Sequence, residues 1–209
     1  MSTDRDTVRS YDAAAAEYAA EAAIMPDWVA QEIDAFVARL NGSGRVLEIG
    51  SGGGRDAAAF VARGISVRRT DVSKGFVDLL RRNGFEADLL DPLTDDLADP
   101  QSPGMSYDGV WACASLIHVA RQDLGTVLRR LAEATRTGGP LHVSVREGDG
   151  EDVSTHGSAA APRHYVETYW RESALRSVLT DAGWIVGEVH RYVGRPGDLW
   201  LSVRACRAG

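Results

Sequence analysis

The sequence predicts an α/β fold: a seven-stranded, mostly parallel sheet with its last strand antiparallel and helices on both faces. Three observations carry this. Short apolar runs alternate with helical patterns from residue 46 onward, and such alternation builds parallel sheets covered on both sides. The first run passes directly into a cluster of glycines and then into a helical pattern. The last two runs are joined by a short loop containing Arg195-Pro196-Gly197-Asp198. That loop is too short for a crossover helix, so the final strand turns back on its neighbour.

The elements follow in order. Residues 3–23 form an alanine-rich helix with Tyr11 and Tyr18 seven apart on one face. Residues 27–40 keep the helical period through Trp28, Ile33, Phe36, Val37 and Leu40, and Asn41-Gly42-Ser43-Gly44 ends them. Strands are expected at 46–49, 66–70, 85–90, 108–114, 141–145, 184–190 and 199–206. Helices are expected at 56–63, 74–83, 123–135 and 171–182. The 123–135 helix places Leu124, Val127, Leu128 and Leu131 on one side. Residues 91–105 hold three prolines and several aspartates and read as a loop. Residues 147–163 are rich in Gly, Ser, Ala and acids and read as a mobile loop that includes His156.

Composition narrows the function. The 209 residues, 44% of them hydrophobic and 25% charged, are long enough to bury a substantial core. Thirty acids against 23 bases give a net charge of -7. That argues against nucleic acid held through its phosphates and against an anionic membrane surface. No apolar run is long enough to span a membrane, and the polar, acidic start is unlike a secretory signal. A cytoplasmic protein is expected, with Cys113 and Cys206 as reduced, buried thiols. The 22 Arg against a single Lys, Lys74, beside 29 Ala and 22 Gly, reflect a GC-rich genome. The five histidines show no metal-ligand spacing, so no metal is implied.

The sharpest signal is Val46-Leu47-Glu48-Ile49-Gly50-Ser51-Gly52-Gly53-Gly54-Arg55-Asp56. A strand that runs through glycines into a helix lets a ligand approach the backbone and aims N–H groups at it. A dinucleotide fingerprint fits Gly50 and Gly52, but Arg55 occupies the third glycine's place.

The pattern resembles motif I of the class I S-adenosylmethionine-dependent methyltransferases, acid-x-G-x-G-x-G, through Glu48, Gly50, Gly52 and Gly54. Asp71 ends the second strand, Asp88 lies near the end of the third, and residues 107–119 look like the fourth strand and its following loop. Thr137-Gly138-Gly139-Pro140 looks like the turn before the fifth. The strings Gly50-Ser51-Gly52…Arg55-Asp56 and Ala112-Cys113-Ala114…His118 resemble small bacterial methyltransferases of the tellurite-resistance-like branch. The resemblance implies a Rossmann-like fold, S-adenosylmethionine as methyl donor and S-adenosylhomocysteine as product.

It also implies the site. Glu48 would face the cofactor's ammonium, and Gly50, Ser51, Gly52 and Gly54 would line its path. Asp71 would accept both ribose hydroxyls, since an ionised carboxylate takes two donors at once, with Val72 beside it. Ser73 is left to cap the next helix. Asp88, with Asp91 as rival, would read the adenine amino group, and Leu89 would offer its N–H. Ala112 and Cys113 would lie beneath the methionine part. Arg55 would bond the cofactor carboxylate or brace the turn. Asp56 is expected as a first-turn helix acid.

Methyl transfer depends chiefly on in-line approach to an already activated sulfonium. Tyr11 and Tyr18 are candidates to close a helix over the cofactor. His118, at the sheet's C-terminal edge, is a candidate base if the acceptor arrives protonated, or a packing residue. His164 and Tyr165 are candidates to line the acceptor pocket, and Arg146 and Glu147 face either acceptor or water. One domain is expected over 1–209, with 1–42 as a helical lid and 43–209 as the cofactor-binding core. The acceptor would be a small molecule methylated at N, O or S. A peptide or protein acceptor, and a non-catalytic cofactor-binding protein, remain alternatives, as do monomer and homodimer.

Overall fold

The computed structural model describes residues 2–158, 161–194 and 197–209, with only the backbone described for 156–158 and 161–162. The side chain of His156 therefore lies outside the described residues. Two helices, α1 (Arg5–Glu21) and α2 (Asp27–Arg39), precede the sheet. Then come β1 (Arg45–Ile49), α3 (Arg55–Val61), β2 (Ser66–Asp71), α4 (Lys74–Arg82), β3 (Asp88–Leu89) and β4 (Gly109–Cys113). A 3-10 turn (Leu116–His118) leads to α5 (Arg121–Ala134) and β5 (Pro140–Glu147). The chain ends with β6 (Glu151–Ser158), β7 (Ala161–Trp170), α6 (Glu172–Asp181), β8 (Trp184–Val193) and β9 (Leu199–Arg207).

The strands β3, β2, β1, β4 and β5 lie side by side and run parallel. β9 pairs antiparallel with β5 from Pro140↔Cys206 to Arg146↔Trp200, and β8 pairs antiparallel with β9. This is the expected parallel sheet with its antiparallel last strand.

Alternation along β4 shows how both faces are covered. Val110 and Ala112 point into one core with Leu124, Val127, Leu128 and Leu131 of α5 and Leu175 and Leu179 of α6. Trp111 between them points to the other, with Val29, Ile33 and Phe36 of α2 and Ala57 and Phe60 of α3.

Nine strands form among the described residues rather than seven. The added pair corrects the mobile-loop expectation for 147–163: β6 and β7 make a hairpin, in register from Glu151↔Thr168 to Ser158↔Ala161. Its Gly, Ser and acid content hid the strand. What holds β7 is tertiary. Tyr165, Thr168 and Trp170 are buried. The backbone N–H groups of His164 and Val166 donate to Ser10 Oγ and Thr7 Oγ1 of α1, each at 2.9 Å. Edge N–H groups thus find partners on a helix instead of a further strand.

The expected 85–90 strand shrinks to the two residues of β3. Both cysteines are free, as expected, but half-buried rather than buried. Among the described residues no helix is long and apolar enough to cross a membrane.

Candidate active site

β1 ends in a turn that only glycine permits. Gly50, Gly52 and Gly54 have φ of 74°, 51° and 84°, a region that costs other residues steric strain. A Cβ on Gly50 would stand 2.4 Å from Ser115 Cβ, whereas one on Gly52 would meet nothing within 4 Å. Gly50 is thus closed by the β4 loop, while Gly52 faces open space. The N–H groups of Gly50 and Ser51 donate to Thr70 O of β2 at 3.0 and 2.9 Å, which pins the turn to its neighbour strand. Gly54 caps α3 in a left-handed conformation.

Two acids end adjacent strands here. Glu48 on β1 and Asp71 on β2 are 2% and 6% exposed. Ser51 Oγ donates to Glu48 Oε2. The N–H groups of Gly52 and Ser73 donate to Asp71 Oδ2 and Oδ1, both at 2.9 Å. Among the described residues neither acid has a cation in an ion pair. Burial, with Asp56 and Asp71 nearby, pushes Glu48 up to about 8. Burial raises Asp71 to about 6 against its backbone hydrogen bonds. These are carboxylates short of positive charge. Ser73 caps α4 by accepting from Phe76 N at 3.3 Å, as expected.

Tyr11 and His118 form a fixed pair. His118 Nδ1 lies 2.8 Å from Val166 O, which can only accept, so Nδ1 carries the proton. Nε2 therefore accepts, and Tyr11 Oη donates to it at 2.8 Å. Burial lowers His118 to about 4 and raises the Tyr11 hydroxyl well above its ordinary value. His118 is neutral, with both ring nitrogens engaged. This arrangement holds Tyr11 in place; a free base it is not. Tyr18 meets the Tyr11 ring edge-on at 5.4 Å, and Tyr165 meets it at 4.6 Å.

A cavity of about 620 Å³ gathers most of these groups, within the ~300–1,000 Å³ usual for small-ligand sites. Tyr11, Tyr18, Glu48, Gly50, Ser51, Gly52, Gly54, Arg55, Asp71, Val72, Cys113 and His118 all line it. Arg55 Nε bonds Asp56 Oδ1 at 2.7 Å and its Nη1 reaches Ala22 O at 3.3 Å, so it braces the end of α1 against α3. α1 packs close: a Cβ on Gly53 would stand 2.8 Å from Ala19 Cβ.

Four expected site residues stand elsewhere. Asp88 is turned to Arg68 Nε at 2.8 Å, in a separate hollow with Arg45 and Arg81. Leu89 is 55% exposed and does not line the cavity. Ala112 is fully buried in the core. His164 is exposed, with Nδ1 3.2 Å from Thr155 Oγ1. The rival Asp91 accepts from Ser2 N and also stays outside. Arg146 pairs with Glu167 and Asp198, and Glu147 with Arg191.

Several lining residues were not read from the sequence as site residues. Trp28 was assigned to a helix's apolar face, and Trp111 and Trp200 to strands; all three line the cavity. Asp12 of α1 accepts from Ser73 Oγ and Gly75 N at 2.7 and 2.8 Å, docking α1 on α4. Nothing in the sequence set the tryptophans apart from core residues.

Residues 46–139 match the family model described as a methyltransferase domain. No curated protein has a matching sequence. Among solved structures, the 1,6-didemethyltoxoflavin-N1-methyltransferase of Burkholderia thailandensis, with 1,6-didemethyltoxoflavin and S-adenosylhomocysteine bound, is 24% identical. The match covers 97% of this chain and 88% of that one, with a TM-score of 0.67. The CcbJ methyltransferase of Streptomyces caelestis is 18% identical over 88% and 91% of the two chains, TM-score 0.68. The [4+2]-cyclase SpnF is 16% identical over 96% and 94%, TM-score 0.65. These likenesses show a Rossmann-like α/β fold. The cyclase among them shows that the fold alone does not dictate the reaction.

Proposed function

We propose that this chain, as one domain with α1 and α2 as its lid, transfers the methyl group of S-adenosylmethionine to an N, O or S atom of a small molecule. The observation that carries this is the pair Glu48 and Asp71: two buried acids without an ion-pair partner among the described residues, at the ends of adjacent strands, on a cavity with open space above Gly52. A cationic ligand with hydroxyl groups fits that need. When bound, the cofactor supplies an activated methyl group on a sulfonium.

Glu48 would receive its ammonium, Asp71 with Val72 its ribose hydroxyls, and Gly50, Ser51, Gly52 and Gly54 the close approach. Arg55 and the Cys113 backbone would flank the amino-acid part. Tyr11 and Tyr18 would close over it, and His118 would hold Tyr11. The small-acceptor reading rests on the size of the cavity and on neighbours such as the 1,6-didemethyltoxoflavin-N1-methyltransferase named above. We further propose that the chain falls in the small bacterial, tellurite-resistance-like branch of methyltransferases, on the strings around Gly50 and Ala112.

The test is calorimetry with S-adenosylhomocysteine on the full chain. Binding with a Kd in the micromolar range is expected, and no heat at high micromolar ligand would sink the proposal. A second reading, a non-catalytic cofactor-binding protein, is favoured by the lack of a free base at His118. It predicts the same binding but no label transferred from methyl-labelled cofactor to any small-molecule fraction.

A further inference from the structure

Beyond β4 the chain bends sharply at Ala114, whose φ of 54° is left-handed. A residue with a Cβ meets steric strain there, and such strain gathers at functional sites. The bend is held from below: Ala114 N donates at 2.8 Å to Oγ of Ser144, a fully buried residue of β5. It lays Ser115 over Gly50, so that a Cβ on Gly50 would stand 2.4 Å from Ser115 Cβ. Gly50 is itself left-handed, at 74°. Two costly backbone positions therefore meet at one serine.

That serine lines the cavity. It is half-buried as a residue, yet its Oγ is closed off from solvent and has no hydrogen-bond partner among the described residues. A buried hydroxyl without a partner is costly and calls for a physical reason. The other donors on the cavity wall are engaged. Ser51 gives its hydroxyl to Glu48, and Tyr11 gives its own to His118. Arg55, the one guanidinium lining the cavity among the described residues, is balanced by Asp56 at 2.7 Å and also reaches Ala22 O.

An amino acid carries its carboxylate on the same carbon as its ammonium. With Glu48 receiving the ammonium, the carboxylate needs a donor close by, and Ser115 stands on Gly50, two residues beyond Glu48. We infer that Ser115 Oγ is the donor to the carboxylate of the cofactor's amino-acid part, swinging from the wall into the cavity by one staggered step of χ1. A hydroxyl that donates to a carboxylate makes a stronger bond than one between neutral groups. The strained bend at Ala114 is then explained, because it sets that hydroxyl beside the acid that takes the ammonium. This deepens the methyltransferase reading and rests on it.

The test is calorimetry of the full chain and its Ser115→Ala variant with three ligands. These are S-adenosylhomocysteine, its decarboxylated analogue, which keeps the ammonium, and 5′-methylthioadenosine, which lacks the whole amino-acid part. Ser115→Ala should weaken S-adenosylhomocysteine roughly tenfold. Its affinity for the other two ligands should stay within about twofold of wild type. Thermal unfolding of the unliganded variant supplies a second readout. Removing a hydroxyl without a partner should leave the unfolding temperature unchanged or raise it. An unchanged S-adenosylhomocysteine affinity, an equal loss with the decarboxylated analogue, or a lowered unfolding temperature would overturn the inference and leave the methyltransferase reading standing. No heat from wild type with S-adenosylhomocysteine would overturn that reading, and this inference with it.

Discussion

Two groups of residues on the cavity satisfy their side chains in opposite ways. Arg55, Asp56 and Trp111 form a chain paired within the protein: Arg55 with Asp56, Asp56 with Trp111. At the glycine end Glu48 and Asp71 are buried and meet only hydroxyl and backbone N–H donors. A buried carboxyl without a cationic partner is costly to ionise, so its retention marks where a ligand completes the site, whereas the Arg55–Asp56–Trp111 chain is complete without one.

The largest way to break this contrast is at Asp71. Asp71→Ala removes an acceptor for Gly52 N and Ser73 N and for ribose hydroxyls. At about 1.5–3 kcal/mol per hydrogen bond to a charged group, S-adenosylhomocysteine affinity should fall by at least about tenfold in calorimetry. Next is Gly50→Ala. Its Cβ would collide with Ser115 at a φ of 74°, so thermal unfolding should show a loss of roughly 1–3 kcal/mol.

A smaller effect is expected at the pair that holds the lid. Tyr11→Phe leaves His118 Nε2 without its donor and should cost about 1–3 kcal/mol of stability. Because His118 is already neutral, the pH profile of turnover between 6 and 8 should keep its shape. A profile that moves would return His118 to the role of base. The smallest effects sharpen the boundary. Asp88→Asn and His164→Ala lie outside the cavity, and both should leave S-adenosylhomocysteine affinity within about twofold.

Much of this was legible because local signals and tertiary structure agree. The glycine run after residues 46–49 has a single physical use, a tight turn open to a ligand, and it lies where expected. Tyr11 and Tyr18 share a face as their spacing requires. Ser73 takes the cap that frees Asp71.

Illegible parts depend on contacts distant in sequence. β7 is a strand because Thr7 and Ser10 receive its edge N–H groups, and nothing within 147–163 signals this. Asp88 was placed at a strand end, but Arg68, two residues before Thr70 on β2, draws it away. His118 was read as a base or a packing residue. It is neither alone, because its tautomer is set by Val166 on the unforeseen hairpin. Trp28 and Trp200 look like core residues in any periodicity, and only the folded chain shows them on the cavity.

The central claim is that Glu48 is a buried acid completed by a cationic ligand. Its raised pKa has a definite sign. The folded protein holds a proton at Glu48 that the unfolded chain releases above its ordinary value of 4.5, so stability falls as pH rises from about 4.5 to about 8. Asp71 adds the same trend between its ordinary 3.8 and about 6. A ligand ammonium favours the ionised form and offsets that loss. The most direct measurement is S-adenosylhomocysteine affinity across pH 6 to 8.5, for wild type and Glu48→Gln. The account predicts that wild-type affinity strengthens as pH rises and that Glu48→Gln flattens the slope. A wild-type profile that is flat, or one that Glu48→Gln leaves unchanged, would contradict it.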